Sequence, residues 1–287
     1  MRKLITPAVS SLLAALAMSA SAVPAQVPAK TSTAQANVHV MPAIDMGTLQ
    51  RERVYRVYLP AGYEGSGKRY PVLYMHDGQN LFDDATSYVG EWGVDEALNQ
   101  LSKTCGLDMI VVGVDHGDKL RMTELNPYDN ERFGKGEGDA YVDFLVNRLK
   151  PHIDREFRTL PDREHTAIMG SSMGGLISNH AINRHPQVFG IAGIFSPSYW
   201  IAPQIFAATE SNPALKSTRI YLATGAKEGE AMTEGFNQMS QLLEQHAGTG
   251  QWQAQLEADG EHNEASWNRI FPEAVSWLFS APCNKPL

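Results

Sequence analysis

The chain alternates between short, almost wholly apolar runs and longer segments whose apolar residues recur at helical spacing. Residues 71–75, 109–114, 166–169, 191–195 and 220–223 are runs with hardly a polar break. They read as strands covered on both faces. Residues 51–59 mix apolar with polar positions and stop at Pro60-Ala61-Gly62, giving a further strand, and 252–256 supplies another. Helical spacing predicts helices over 92–101, 141–149 (stopped by Pro151), 176–182, 236–246 and 265–279. Strands alternating with helices predict an α/β fold: a mostly parallel central sheet flanked by helices on both faces. Reactive groups of such sheets collect beyond the carboxyl ends of the strands.

The ends of the chain read differently from its body. Arg2 and Lys3 precede an apolar, small-residue stretch over 4–20, and Ala20-Ser21-Ala22 offers a cleavage site. Residues 1–22 are therefore expected to be a signal peptide, sending the protein to a periplasm or the exterior. The run is too short, and too broken by Pro7 and serines, for stable membrane insertion. Residues 23–44 are expected to be a flexible lead-in, because 23–37 hold few large apolar residues to offset the entropy of ordering. That leaves 45–287 as one domain. The formal net charge of −8 disfavours nucleic acid and anionic membranes as partners. The two cysteines, Cys105 and Cys283, suit a disulfide in an exported protein, with two separate thiols as the alternative.

The chemistry centres on Gly170-Ser171-Ser172-Met173-Gly174, which follows an inferred strand and opens an inferred helix. This is the pattern of a nucleophile elbow, with Ser172 as nucleophile. The turn is so tight that glycines are needed where a Cβ would strike backbone. A serine hydroxyl needs a histidine to take its proton and an acid to orient that histidine. Of the histidines at 180, 185, 246 and 262, only His262 lies in a loop after the last strand, where it can reach over the serine. The acid is expected after strand 220–223, where Glu228 is favoured over Glu230 by its nearness to the strand end. The oxyanion hole needs two backbone N–H donors. Met173 follows the nucleophile, and the turn His76-Asp77-Gly78-Gln79 offers Gln79 or Gly78. His76 and Asp77 are expected to be structural hydrogen-bonding groups beneath it. No metal motif, phosphate loop or dinucleotide loop is present, so no metal and no cofactor are expected.

Three segments together resemble the family of esterases related to esterase D: Tyr74 through Asp83, Gly170 through Gly175, and Gly260 through Trp267. That family includes siderophore, feruloyl and acetylxylan esterases, S-formylglutathione hydrolase and mycolyltransferases. The resemblance runs from about residue 45 to 280. It implies an α/β-hydrolase fold with little or no lid, and a triad of Ser172, His262 and Glu228. It also implies that the residue after Asp-Gly, here Gln79, lends the oxyanion N–H. The loop 115–138 is expected to overhang the site with Trp200, placing Tyr128 and Arg132 as substrate-binding residues for a small-molecule or glycan ester. The reading is a serine carboxylic-ester hydrolase acting on carbohydrate-linked, phenolic or siderophore esters. The alternatives are acyl transfer by the same triad and a non-catalytic binding protein. The sequence leaves the oligomeric state open.

Overall fold

The computed structural model describes residues 30–281 and 283; the expected signal peptide lies outside them. Strands β1 (Val38–Asp45), β2 (Glu52–Tyr58), β3 (Val72–His76), β4 (Ile110–Val114), β5 (Thr166–Ser171), β6 (Ile191–Phe195), β7 (Arg219–Gly225) and β8 (Trp252–Glu257) form a single sheet. Its order is β1-β2-β4-β3-β5-β6-β7-β8. β1 and β2 run antiparallel to their neighbours, and everything from β4 to β8 is parallel. This is the mostly parallel sheet that the alternating pattern predicts.

Helices α1 (Val94–Cys105) and α8 (Glu264–Leu278) cover one face, and α5 (Met173–Arg184) lies on the other with α3 (Gly138–Phe144), α6 (Gln204–Glu210) and α7 (Glu230–His246). β3, β4, β5 and β6 are buried at every position, which explains their unbroken apolar sequence. The sheet thus separates two apolar clusters, one holding Leu176 and Phe236, the other Leu98 and Phe271. No described helix is long and apolar enough to cross a membrane.

Two expectations are corrected. Residues 38–44, expected to be flexible lead-in, lie in edge strand β1, paired to β2 from Val38↔Tyr58 to Asp45↔Glu52. Pro42 falls where the register shifts between Met41 and Ile44, so its missing N–H costs the ladder little at the bulge. The residues just before β1 are tied down by polar contacts. Ser32 Oγ donates to Asp83 at 2.8 Å, Thr33 Oγ1 to Glu91 at 2.7 Å, and the Gln35 N–H to Asp95 at 2.8 Å. A test for large apolar residues misses such a strap. Pro151, expected to stop a helix, does not. A π-helical turn over Leu145–Leu149 leads without a break from α3 into α4 (Lys150–Glu156), and Pro151 sits in the first turn of α4, where the wider turn before it accommodates the ring.

Cys105, at the end of α1, is bonded to Cys283, with their Cα atoms 5.2 Å apart. The bond ties the chain's tail to the body across 178 residues of sequence.

Candidate active site

Parallel register brings the strand ends to one edge. β5 pairs Ser171↔Phe195 with β6, β6 pairs Phe195↔Ala223 with β7, and β7 pairs Gly225↔Glu257 with β8. The residues that follow each strand therefore meet in one place. Three of them are non-glycine residues held at positive φ: Asp77 after β3 (56°), Ser172 after β5 (59°) and Ser196 after β6 (43°). Such backbone costs free energy and persists where surrounding packing enforces it.

Ser172 is the sharpest of these turns. Its φ and ψ are 59° and −121°, and it caps α5 directly after β5. Its N–H donates to the Phe195 carbonyl at 2.9 Å, fixing the turn to the neighbouring strand end. A Cβ at Gly170 would come within 2.8 Å of the Gly174 backbone, and one at Gly175 within 2.6 Å of the Phe195 oxygen. The glycines are steric requirements of this turn.

The histidine and the acid meet beside it. His262 Nδ1 donates to Glu228 Oε2 at 2.7 Å. The Glu228 side chain is 1% exposed, while His262 is 38% exposed. The other carboxylate oxygen accepts from Ser196 Oγ at 2.6 Å and from the Gly225 N–H at 2.7 Å. Ser196 Oγ in turn accepts from Trp267 Nε1 at 2.8 Å, and the Trp267 ring meets the imidazole edge-on at 5.2 Å. A carboxylate only accepts, so Nδ1 carries the proton and Nε2 is left to receive one. Glu230, the sequence alternative, is exposed at the start of α7. The other late histidines bond elsewhere: His180 to Asp139, His185 to Asp143, and His246 faces Glu210 at 3.6 Å.

The Ser172 side is looser. No hydrogen bond joins Ser172 to His262; the Ser172 hydroxyl lies 3.3 Å from that of Ser198. Ser198 also donates its N–H to the Ser172 carbonyl at 3.1 Å. Sequence reasoning missed Ser196 and Ser198, which flank Pro197 in a small polar segment with no motif of its own. Their position directly after an apolar strand is the one signal that singles them out.

The expected oxyanion donors lie in prepared turns. Neither the Gln79 N–H nor the Met173 N–H donates to a protein acceptor among the described residues. Met173 is the first residue of α5, where helical N–H groups have no intrahelical acceptor. The Gln79 turn is braced: its carbonyl accepts from Thr86 Oγ1 at 2.8 Å and its side-chain oxygen from the His116 N–H at 3.1 Å. Asp77 is clasped by Arg121, Nε to Oδ1 at 2.6 Å and Nη2 to Oδ2 at 2.8 Å. Burial alone would raise the Asp77 carboxyl, but the guanidinium holds it below the ordinary range. His76 is buried against Tyr141, whose hydroxyl lies 2.8 Å from Nδ1. Burial pushes its pKa down to about 4, so the ring beneath the elbow is neutral.

The expected substrate-binding residues divide. Trp200, half-exposed, meets Phe133 edge-to-face at 5.7 Å, and the Arg132 guanidinium lies 5.2 Å over the same ring. Asn130 donates to the Ile201 carbonyl at 2.7 Å, so the long loop is fastened beside Trp200. Tyr128 is not part of that group; it packs edge-on against His180 of α5 at 5.7 Å. Asp115, at the start of the long loop, is taken up by Arg56 at 2.9 Å.

Comparison with known proteins agrees with this architecture. The family described as "Putative esterase" matches residues 47–278. An endo-1,4-β-xylanase/feruloyl esterase of Xylanibacter ruminicola is 28% identical over 233 residues, which are 78% of this chain and 29% of that longer protein. A siderophore triacetylfusarinine C esterase of Aspergillus fumigatus is 30% identical over 136 residues, 45% of this chain and 44% of that one. Among solved structures, the BES protein of Bacillus cereus superimposes with a TM-score of 0.71 at 20% identity, covering 88% of this chain and 98% of that chain. The chain belongs to the Putative esterase family and is an esterase built on the α/β-hydrolase fold.

Proposed function

We propose that the protein is an exported serine carboxylic-ester hydrolase whose triad is Ser172, His262 and Glu228. The observation that carries this reading is the Glu228–His262 hydrogen bond at the strand edge where Ser172 is held at positive φ. The Ser172 hydroxyl turns from Ser198 toward His262 Nε2, which takes its proton as Oγ bonds to the ester carbonyl carbon. Negative charge develops on the carbonyl oxygen, and the Met173 and Gln79 N–H groups stabilise it. Collapse of the intermediate expels the alcohol, which takes the proton from His262. Water then enters by the same route in reverse, releasing the acid and restoring Ser172. Glu228 keeps Nδ1 protonated and stabilises the imidazolium that forms in each half.

The alcohol and acyl groups we propose are carbohydrate-linked, phenolic or siderophore esters. Two named relatives, a feruloyl esterase and a siderophore esterase, support this range. Trp200 and Phe133 offer an aromatic wall, with Arg132 on the same ring. Export rests on the leader pattern at 1–22 and is supported by the Cys105–Cys283 bond, which suits an oxidising compartment.

The test is hydrolysis of a panel of acetyl, butyryl, feruloyl and catecholate-siderophore esters by the wild type and by Ser172→Ala. The reading expects at least one ester to be cleaved and the variant to lose about 10⁴-fold or more in kcat. Full hydrolysis by the variant would overturn it. Product appearing mainly on an added alcohol would reassign the reaction to acyl transfer.

A further inference from the structure

The start of α1 gathers three carboxylates that the reaction above does not use. Among the described residues, oxygens of Glu91, Asp95 and Glu96 lie within 4.8 Å of one another. Asp95 is 0% exposed, Glu91 is half-buried and Glu96 is exposed, so the group opens to solvent at one end. Acidic residues in a first helical turn have an ordinary use, since they complement the helix dipole. Asp95 and Glu96 stand in that turn.

The hydrogen bonds ask for more. Asp95 Oδ2 accepts from the Gln35 N–H at 2.8 Å, but Oδ1 is buried without a hydrogen-bond partner. Glu91 Oε1 accepts from Thr33 Oγ1 at 2.7 Å, but Oε2 is likewise buried without a partner. Glu96 Oε1 accepts from Gln35 Nε2 at 3.0 Å. Buried carboxylate oxygens are almost always satisfied, and two orphans in one acidic cluster repel each other as well.

We propose that Glu91, Asp95 and Glu96 form a calcium site. Asp95 Oδ1 and Glu91 Oε2 supply two ligands, a Glu96 oxygen the third, and water completes the shell on the exposed side. The donors are all oxygen and mostly carboxylate, the set of a hard cation; zinc would look for nitrogen or sulfur. Calcium oxygens stand roughly 2.3–2.6 Å from the ion, so ligands of one ion are up to about 5 Å apart. A group within 4.8 Å fits that span. Magnesium demands a tighter octahedron and keeps its own water, which this open, irregular group does not favour. One ion would satisfy both orphan oxygens. Through Thr33 and Gln35 it would also fasten the strap before β1 to α1. The sequence showed no metal motif because these ligands belong to no calcium loop; burial of Asp95 is what makes them a group.

The competing occupant is a proton shared between Asp95 and Glu96. The experiment uses the full chain, stripped with chelator and dialysed, with calcium chloride as the probe. About 10 mM calcium is expected to raise Tm by roughly 3–8 °C, with magnesium giving much less. Terbium, a calcium surrogate, is expected to emit when excited through the neighbouring Trp92, and calcium to quench that emission by displacement. Glu91→Gln with Asp95→Asn is expected to abolish both effects while p-nitrophenyl acetate hydrolysis is retained. If the double variant does not fold, Glu96→Gln alone should weaken calcium binding by at least tenfold. An unchanged Tm in calcium at pH 6 and pH 8, equal stabilisation by magnesium, or terbium emission that survives the double variant would each overturn the proposal.

Discussion

Two buried carboxylates in this protein have opposite surroundings. Both oxygens of Glu228 have donors: Ser196 and the Gly225 N–H on one, His262 on the other. Asp95 is as deeply buried, yet one of its oxygens has no donor and its neighbours are acids. The lesson is that burial alone does not assign a role to an acid. A saturated carboxylate is fixed in place and can orient a partner; an unsaturated one in an acidic group lacks a cation or a proton. The first suits catalysis, where geometry must not change. The second suits binding.

The strongest way to break the comparison is Glu228→Gln. The amide nitrogen would face His262 Nδ1 or Ser196, and the imidazole would lose both its tautomer and its charge partner. We expect kcat to fall about 10²–10⁴-fold with KM little changed. Glu230→Gln should leave steady-state rates within error, and a large loss there would move the acid to Glu230.

A second effect is on stability against pH. His76 has its folded-state pKa lowered from 6.5 to about 4. The unfolded chain then binds more protons than the folded one between those values. Stability from this residue is full above about pH 6.5 and falls as pH drops toward 4, by roughly 3 kcal/mol across the window. Urea unfolding at pH 7 and pH 4.5 should show the loss, and a His76→Gln variant that still folds should show less of it.

Ser196→Ala sharpens the comparison by leaving one Glu228 oxygen half-served and Trp267 Nε1 without an acceptor. We expect about tenfold lower kcat and a destabilisation of about 1–3 kcal/mol, read by kinetics and by chemical unfolding. The smallest effect is at the other carboxylate. Asp95→Asn in chelator-treated protein removes a buried like charge, so its stability at pH 8 should equal or exceed wild type by up to about 1 kcal/mol. A marked loss would mean that Oδ1 of Asp95 already has a partner in the calcium-free protein.

Much of the sheet was legible because β3, β4, β5 and β6 are buried on both faces and so carry no polar interruption. The elbow was legible because Gly170 answers to a backbone contact that other residues do not tolerate; a Cβ at Gly174, read the same way, would meet the His76 side chain at 3.2 Å and no backbone. β1 and its strap were not, since Ser32, Thr33 and Gln35 are held by hydrogen bonds to acids about 50 residues and more away. Pro151 misled because a π turn absorbs what an α-helix would not. Ser196 and Ser198 carry no pattern; only the register of β6 against β5 and β7 brings them to Glu228 and Ser172. The choice between Glu228 and Glu230 depends on how the chain turns after Gly225, which spacing does not fix.

The central claim is that Ser172 is an activated nucleophile. The direct measurement is labelling of the folded protein with a fluorophosphonate, read by intact mass and peptide mapping. The account predicts one adduct, on Ser172, that is lost in His262→Ala. An adduct on Ser198 in place of Ser172, or none in folded protein, would contradict it.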